Sequence, residues 1–429
     1  MTARNRELAN LVVVGAVTAC GFAAVYLASQ DVPEFSSASL LYAGFFLALF
    51  VAAHLLLRLR LPLADPYLLP ITGVLTALGL TEIYRIEPDR AFRQGVWVVA
   101  GVVLFALIVL FLRDHRTLDV YKYTLGVAAI ALLVLPALPV VGETVNGARL
   151  WIDAGPLRLQ PGEFAKVLLV VFLAGYLRDN RELLSLGYGR LGVPSPKHFG
   201  PLLLIWGGAM LVLFQTNDLG GGLLYFSIFL AMLYVATARV AYVAVGLALF
   251  AAGSYAVYHV ATHVANRIAI WLDPWQDPHD AGYQLVQSIY SIAAGGLFGT
   301  GLGRGVLVTP EGSTYIPYLS TDFIYAAITQ ELGLAGAAAL VLLYLVFVYR
   351  GFAIAMAADD GFSKLLATGL AAAIAIQAFI IIGGVSGLIP LTGVTLPFVS
   401  YGGSSIVANF LLVGLLLVVS NHVNEAAER

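Results

Sequence analysis

Residues 315–332 read YIPYLSTDFIYAAITQEL. This stretch closes a polar segment, 263–321, and carries the chain back into a long apolar run that continues to Val348. One acid, Asp322, stands at the mouth of that run, and a second, Glu331, lies about two and a half helical turns deeper. Ionisable side chains at the edge of or inside a membrane helix are costly, so each acid needs a reason: capping, transport or chemistry. The run is long enough to cross the hydrocarbon of a membrane as a helix, with Glu331 its one acid beyond the mouth.

Composition extends that reading to the whole chain. Hydrophobic residues make up 60% and charged residues 11%, and mean hydropathy is +0.89, whereas soluble domains carry about 25% charged residues. A net charge of −2 gives no sign of nucleic-acid binding. Cys20 is alone in an apolar run, which excludes a disulfide framework and a cysteine metal site. The basic start MTARNRELAN precedes an apolar stretch, but Ser29–Ser37 offers no convincing small-residue cleavage site. The first run is therefore read as a retained span and not as a signal peptide.

Apolar runs predict twelve spans, near 10–29, 40–57, 67–82, 94–112, 122–140, 163–177, 199–217, 219–238, 240–262, 322–349, 365–385 and 404–421. The expected fold is an all-α polytopic membrane protein with one large extracellular loop, 263–321. Arg58, Arg60, Arg113, Arg116, Lys122, Arg178, Arg181, Arg190, Lys197, Arg239, Arg350 and Lys364 fall on one side, which the positive-inside rule assigns to the cytoplasm together with both termini. Arg85, Arg90 and Arg93 dissent. No fixed-period repeat or inverted pair of broken spans is apparent, which weighs against a secondary transporter.

Four constellations converge on the outward side. In NGARLWIDAGPLRLQPGEFAK (146–166), Pro161 starts a helix, Glu163 sits in its first turn and Lys166 follows at i+3. A local ion pair accounts for these two, although a lysine one turn into a span needs a partner or a wet cavity. Arg149 and Arg158 nearby suit a phosphate-bearing ligand. In QTNDLGGGLL (215–224), Asp218 reads most simply as a helix N-cap in a short turn. In QLVQSIYSIAAGG, Gln284, Gln287, Ser288 and Ser291 share one helical face opposite Leu285, Ile289 and Ile292, the pattern of a short interfacial helix. The following GTGLGRG (299–305) matches neither nucleotide-loop motif and reads as a flexible hinge. Residue type alone leaves Asp322 evenly balanced between helix cap and functional acid. Glu331 is too deep for a cap and is expected to face the bundle interior.

Taken together, these motifs closely resemble those of the SEDS family (shape, elongation, division and sporulation), which includes RodA, FtsW and SpoVE. The resemblance rests on GLIPLTGVTLPFVSYGGSS (387–405), the 146–166 segment, DLG at 218–220, DPWQDPHDAGYQLVQS (273–288) and STDFIYAAITQELG (320–333). It covers roughly 94–421, and the last-span motif reads more like the RodA (elongation) branch. Many members have ten spans, so the resemblance implies a core at 61–429 behind an N-terminal two-helix extension, 1–60. It further implies a bacterial cytoplasmic-membrane glycosyltransferase that polymerises lipid II into peptidoglycan strands beside a class B penicillin-binding protein. On the matching positions, Asp322 is the proposed general base, and Glu163, Lys166 and Arg149 fall on substrate motifs. Asp218, Arg267, Gln284, Gln287, Glu331, Ser400, Gly402 and Ser404 also lie on family motif positions. Departures are QPGE for the usual QPSE, an extra residue in QTND before DLG, Ile381 for a common Asn and Gln330 for a common first Glu.

The chemistry fits these residue types. Transfer from a diphosphate-linked sugar needs a base for the acceptor hydroxyl, here a partly desolvated carboxylate, and fixed cations for the leaving diphosphate, Arg149 and Lys166 being expected. Segment 284–298 could admit the prenyl tail, and direct displacement would invert the anomeric centre. A divalent cation, Mg or Mn, could travel on the diphosphate, although no residue cluster declares a metal site. The rival readings are a lipid II flippase, which predicts polar residues through the full bilayer depth, and a non-catalytic scaffold that activates the penicillin-binding partner.

Overall fold

The computed structural model describes residues 2–28, 37–138, 141–145, 147–154, 157–186, 196–309 and 312–428. Its helices, in chain order, are α1 (Ala3–Ala28), α2 (Ser37–Arg60), α3 (Leu68–Ile86), α4 (Pro88–Phe111), the single turn α5 (Thr117–Val120), α6 (Lys122–Val134), α7 (Pro161–Leu186) and α8 (Pro196–Gln215). They continue with α9 (Leu219–Thr237), α10 (Val240–Val260), α11 (Thr262–Leu272), α12 (Tyr283–Gly295), α13 (Ile324–Ala357), α14 (Gly361–Val385) and α15 (Gly403–Glu428). The chain is a polytopic helical membrane protein. Each run marked from hydropathy falls on a helix. Among the described residues, eight helices are long and apolar enough to cross a membrane by length and composition: α1, α2, α4, α9, α10, α13, α14 and α15. Of the other four, α6 and α8 are shorter apolar helices, while α3 and α7 carry charged residues. Arg190 and most of the 30–39 connection lie outside the described residues.

Local chemistry starts and stops these helices where the sequence placed the signals. Pro88 opens α4 with Asp89 in its first turn, and Pro161 opens α7 with Glu163 in its first turn. Asp218 caps α9, its carboxylate accepting from the Gly221 amide at 2.7 Å. Helix α15 is almost wholly buried and packs along α4, α7, α13 and α14, so it forms the centre of the bundle. Helix α10 is equally apolar, yet Gly246 is its one buried residue. Lipid and protein interior are alike to an apolar side chain, so hydropathy does not separate a central helix from a peripheral one.

Three arrangements differ from expectation. The loop before α7 folds into a small antiparallel meander of β1 (Gly142–Val145), β2 (Ala148–Ala154) and β3 (Leu157–Leu159), with Glu143 opposite Trp151 and Asp153 opposite Arg158. Three short strands inside a loop carry too little periodic signal to stand out from a helical background.

The glycine-rich 299–305 segment is an anchored loop where a hinge was expected. Helix α13 breaks at Gly333, whose φ is 67°. The amides of Leu334 and Ala335, released by that break, donate to the carbonyls of Gly296 and Leu297 at 2.9 and 3.0 Å. Thr300 and Gly301 amides donate to the Gln330 and Glu331 carbonyls at 3.0 and 2.9 Å. The Glu331 carboxylate accepts from Gly303 N at 2.6 Å and Gly305 N at 3.1 Å, with Arg85 Nε at 3.5 Å.

Helix α12 forms as expected, but its faces are rotated. Ser288 points inward with Leu285, donating to the Val385 carbonyl at 2.9 Å, while Gln284 and Gln287 are half-buried. A serine satisfied by a carbonyl sits comfortably against a neighbouring helix, so its polarity does not mark the wet face.

Candidate active site

A cavity of about 1020 Å³ opens where the meander, the starts of α4 and α7, the α8–α9 turn, α11, the approach to α13 and the 387–403 loop converge. That volume matches the upper end of the range for ligand pockets, roughly 300–1,000 Å³.

Asp322 lies in its wall. Helix α13 begins at Ile324 behind an N-cap at Phe323 that no side chain caps, so Asp322 does not spend its carboxylate on capping. Backbone contacts fix its position. Asp322 N donates to the Tyr318 carbonyl at 3.0 Å, and Tyr401 N to the Ser320 carbonyl at 2.9 Å. Ser400 Oγ donates to the Thr321 carbonyl at 2.5 Å. Arg90 donates to Ser320 Oγ at 3.0 Å, and that hydroxyl donates to Glu87 at 2.9 Å. Gly393, with φ +76°, packs beside Asp322, and glycine permits the turn there. Burial pushes the Asp322 carboxyl up to about 6, with the Thr321 hydroxyl and Arg267 drawing it back.

Lys166 is 2% exposed, and its ammonium donates to Glu163 Oε2 at 2.9 Å and Gln377 Oε1 at 2.6 Å. The Gln377 amide in turn donates to the Thr395 carbonyl at 2.9 Å, tying α7 and α14 to the 387–403 loop. Asp218, capping α9, is held up at about 6 by burial. The Gly221 amide lowers it, Glu163 raises it and Arg267 lowers it. Two of the cavity's three carboxylates are thus engaged, Glu163 by Lys166 and Asp218 by the Gly221 amide.

The cavity's cations come from four elements: Arg90 and Arg93 on α4, Arg158 on β3, Lys166 on α7 and Arg267 on α11. Arg90 pairs with Glu87 at 2.7 Å and Arg158 with Glu143 at 3.0 Å. Arg93 and Arg267 make no salt bridge within 4 Å among the described residues. Arg149 lies outside this cavity. Its guanidinium donates to the Gly142 carbonyl at 3.0 and 3.3 Å and its amide to the Thr216 carbonyl at 3.2 Å, joining the meander to the end of α8.

Among the other residues singled out, Gly402 lines the cavity and its amide donates to Gln94 at 3.1 Å, and Ser404 Oγ accepts from the Gln160 amide at 2.7 Å. Gln284, Gln287 and Glu331 do not line it. Sequence reasoning missed Arg90, Arg93, Trp97 and Gln377. The first two carried a signal, since they break the positive-inside pattern, and Gln377 carried one as a lone amide in an apolar run.

The family model for FtsW/RodA/SpoVE, described as cell cycle protein, matches residues 60–425. The chain belongs to that family. It is 43% identical over 98% of its length to peptidoglycan glycosyltransferase RodA of Mycobacterium tuberculosis, covering 91% of that protein. Similarity to stage V sporulation protein E of Bacillus subtilis is lower, at 36% over 83% of this chain and 97% of the relative. This FtsW/RodA/SpoVE member therefore stands on the RodA side. Its fold superposes with a TM-score of 0.68 at 30% identity on a solved chain reported under the structural coordination of polymerization and crosslinking by a peptidoglycan synthase complex. The superposition covers 84% of this chain and 98% of that one. The family match begins as α2 ends, so the first two helices precede it.

Proposed function

We propose that this FtsW/RodA/SpoVE member is a peptidoglycan glycosyltransferase that polymerises lipid II at the outer face of the bacterial cytoplasmic membrane during elongation. One observation carries the reading: an uncapped acid, Asp322, shares a large open cavity with five cations contributed by four separate elements. In the proposed step, Asp322 accepts the proton of the acceptor sugar hydroxyl as its oxygen bonds to the anomeric carbon. The bond from that carbon to the lipid diphosphate breaks, and the diphosphate leaves carrying the electron pair. Arg93, Arg267 and Lys166 stabilise the growing negative charge in this scheme, a role supported by their lining the cavity with Asp322, and Arg90 and Arg158 border the same space. Arg149 is a positioning residue for the meander in this scheme. Any Mg or Mn would arrive on the diphosphate. In this reading the basic loops put both termini in the cytoplasm, residues 1–60 form a two-helix extension ahead of the core, and the chain works beside a class B penicillin-binding protein.

Purified protein, with and without that partner, is given lipid II in detergent and the products are sized. Glycan strands support polymerisation. Lipid II translocation in vesicles without strands would favour the flippase, and partner crosslinking without strands from this chain would favour the scaffold.

A further inference from the structure

Asp114 and His115 follow the last turn of α4, whereas the cavity residues Arg90 and Arg93 lie in its first two turns. At 1.5 Å per residue the two ends of that helix stand roughly 30 Å apart. At the end remote from the cavity, Asp114, His115 and His422 of α15 each present one ligating atom, all within 4.8 Å of one another. The proposed glycosyl transfer uses none of them.

His115 is fully buried, stacked on Phe362 and met edge-on by His422 with ring centroids 5.3 Å apart. Its tautomer follows from its neighbours. Ser363 Oγ lies 2.6 Å from Asp360 Oδ2 and donates its one hydrogen there. The same oxygen lies 2.5 Å from His115 Nε2 and can then only accept, so the imidazole hydrogen sits on Nε2. Nδ1 is left with a bare lone pair, buried and without a hydrogen-bond partner. Asp114 Oδ1 stands 3.9 Å from it and has no hydrogen to give. Arg116 does not fill the gap: its guanidinium pairs with Asp360 at 3.0 Å, and its amide donates to Asp114 Oδ1 at 2.9 Å. A buried lone pair, a carboxylate and a second imidazole therefore face one another.

The geometry points to a divalent transition-metal site in which Asp114, His115 and His422 hold one zinc-class ion with a fourth position open. Two imidazoles and a carboxylate suit zinc and its neighbours, whereas magnesium prefers an all-oxygen octahedron. The His115–Ser363–Asp360 chain is the outer support that orients a metal-bound imidazole. Ligands of tetrahedral zinc stand roughly 3.3 Å apart, and the half-exposed Asp114 and His422 side chains can close that distance by rotation. Bound there, the ion joins the α4–α5 turn to the central helix α15 and, through Ser363, to the start of α14.

The test uses tag-free, full-length protein in detergent, stripped with chelator and titrated with zinc chloride, with metal content and thermal midpoint as readouts. One zinc per chain, binding in the micromolar range or tighter and raising the midpoint, is expected. Asp114→Asn and His422→Ala, both at partly exposed positions, remove proposed ligands and should each weaken binding by at least about tenfold, the lower end of the loss seen for outer-shell partners. His259→Ala, at an exposed histidine on α10, should leave binding unchanged. Absence of stoichiometric zinc overturns the proposal, as does affinity unchanged from the unsubstituted protein in both ligand variants or an equal loss in His259→Ala.

Discussion

At the scale of single residues, Asp322 and Lys166 carry the testable chemistry. Asp322→Asn should lower strand synthesis from lipid II by about a hundredfold to ten-thousandfold, the range of a lost general base. Burial raises this carboxyl to about 6, so folding favours its protonated form, and the neutral Asn variant should be at least as thermostable near pH 7. Scanning calorimetry separates the two effects; a large drop in midpoint would mean the lost activity reflects misfolding. The base must be ionised to act, so turnover should fall below about pH 6, near tenfold per unit. Asp218 titrates in the same range, and Asp218→Asn should keep that acid limb; a flat profile in this variant would move the base to Asp218.

Lys166 is buried between Glu163 and Gln377. Lys166→Met strands both and should cost about 1–3 kcal/mol of stability as well as turnover. Adding Glu163→Gln should restore part of the stability and none of the activity, as read from denaturant melts and strand assays.

At the scale of elements, the approach to α13 is positioned by contacts distant in sequence. Ser400 and Tyr401 hold the backbone at Ser320 and Thr321, and the 299–307 segment is clamped to Glu331. Glu331→Ala releases the Gly303 and Gly305 amides, so their hydrogen exchange should rise about tenfold to a hundredfold while Asp322 stays in place. Unchanged protection at those two amides would sever the carboxylate from the loop. The helices themselves were legible. Pro161, Asp218 and the apolar runs act through short-range rules that hold wherever the segment packs. Glu331 was not legible, because its partners lie 26 and 28 residues away in the chain. Nor was the meander, whose longest strand, ARLWIDA (148–154), does not alternate apolar with polar residues.

At the scale of the whole molecule, orientation is the open consequence of the charge pattern. In a Cys20→Ser background, Asp280→Cys should react with a membrane-impermeant maleimide in intact cells, and Asp359→Cys only after lysis. The reverse labelling would invert the proposed topology and place the cavity inside the cell. Of Arg85, Arg90 and Arg93, which break the charge rule, the first two are held by partners and the third lines the cavity. Arg85 meets Glu331, and Arg90 meets Glu87 and Ser320.

The sequence by itself determined the helical membrane fold, the apolar runs that fall on helices, and the segments 146–166, 215–224, 315–332 and 387–405 that meet at the cavity. Those properties follow from composition and local motifs, which act on a segment before it packs. Tertiary structure alone decided that Asp322 is uncapped, that Arg149 braces the meander beside the cavity, and that Arg93 and Gln377 join the site. Whether a polar group caps, braces or faces open space depends on which distant atoms reach its hydrogen-bonding distance, and in a lipid-immersed chain apolar patterning does not encode that choice.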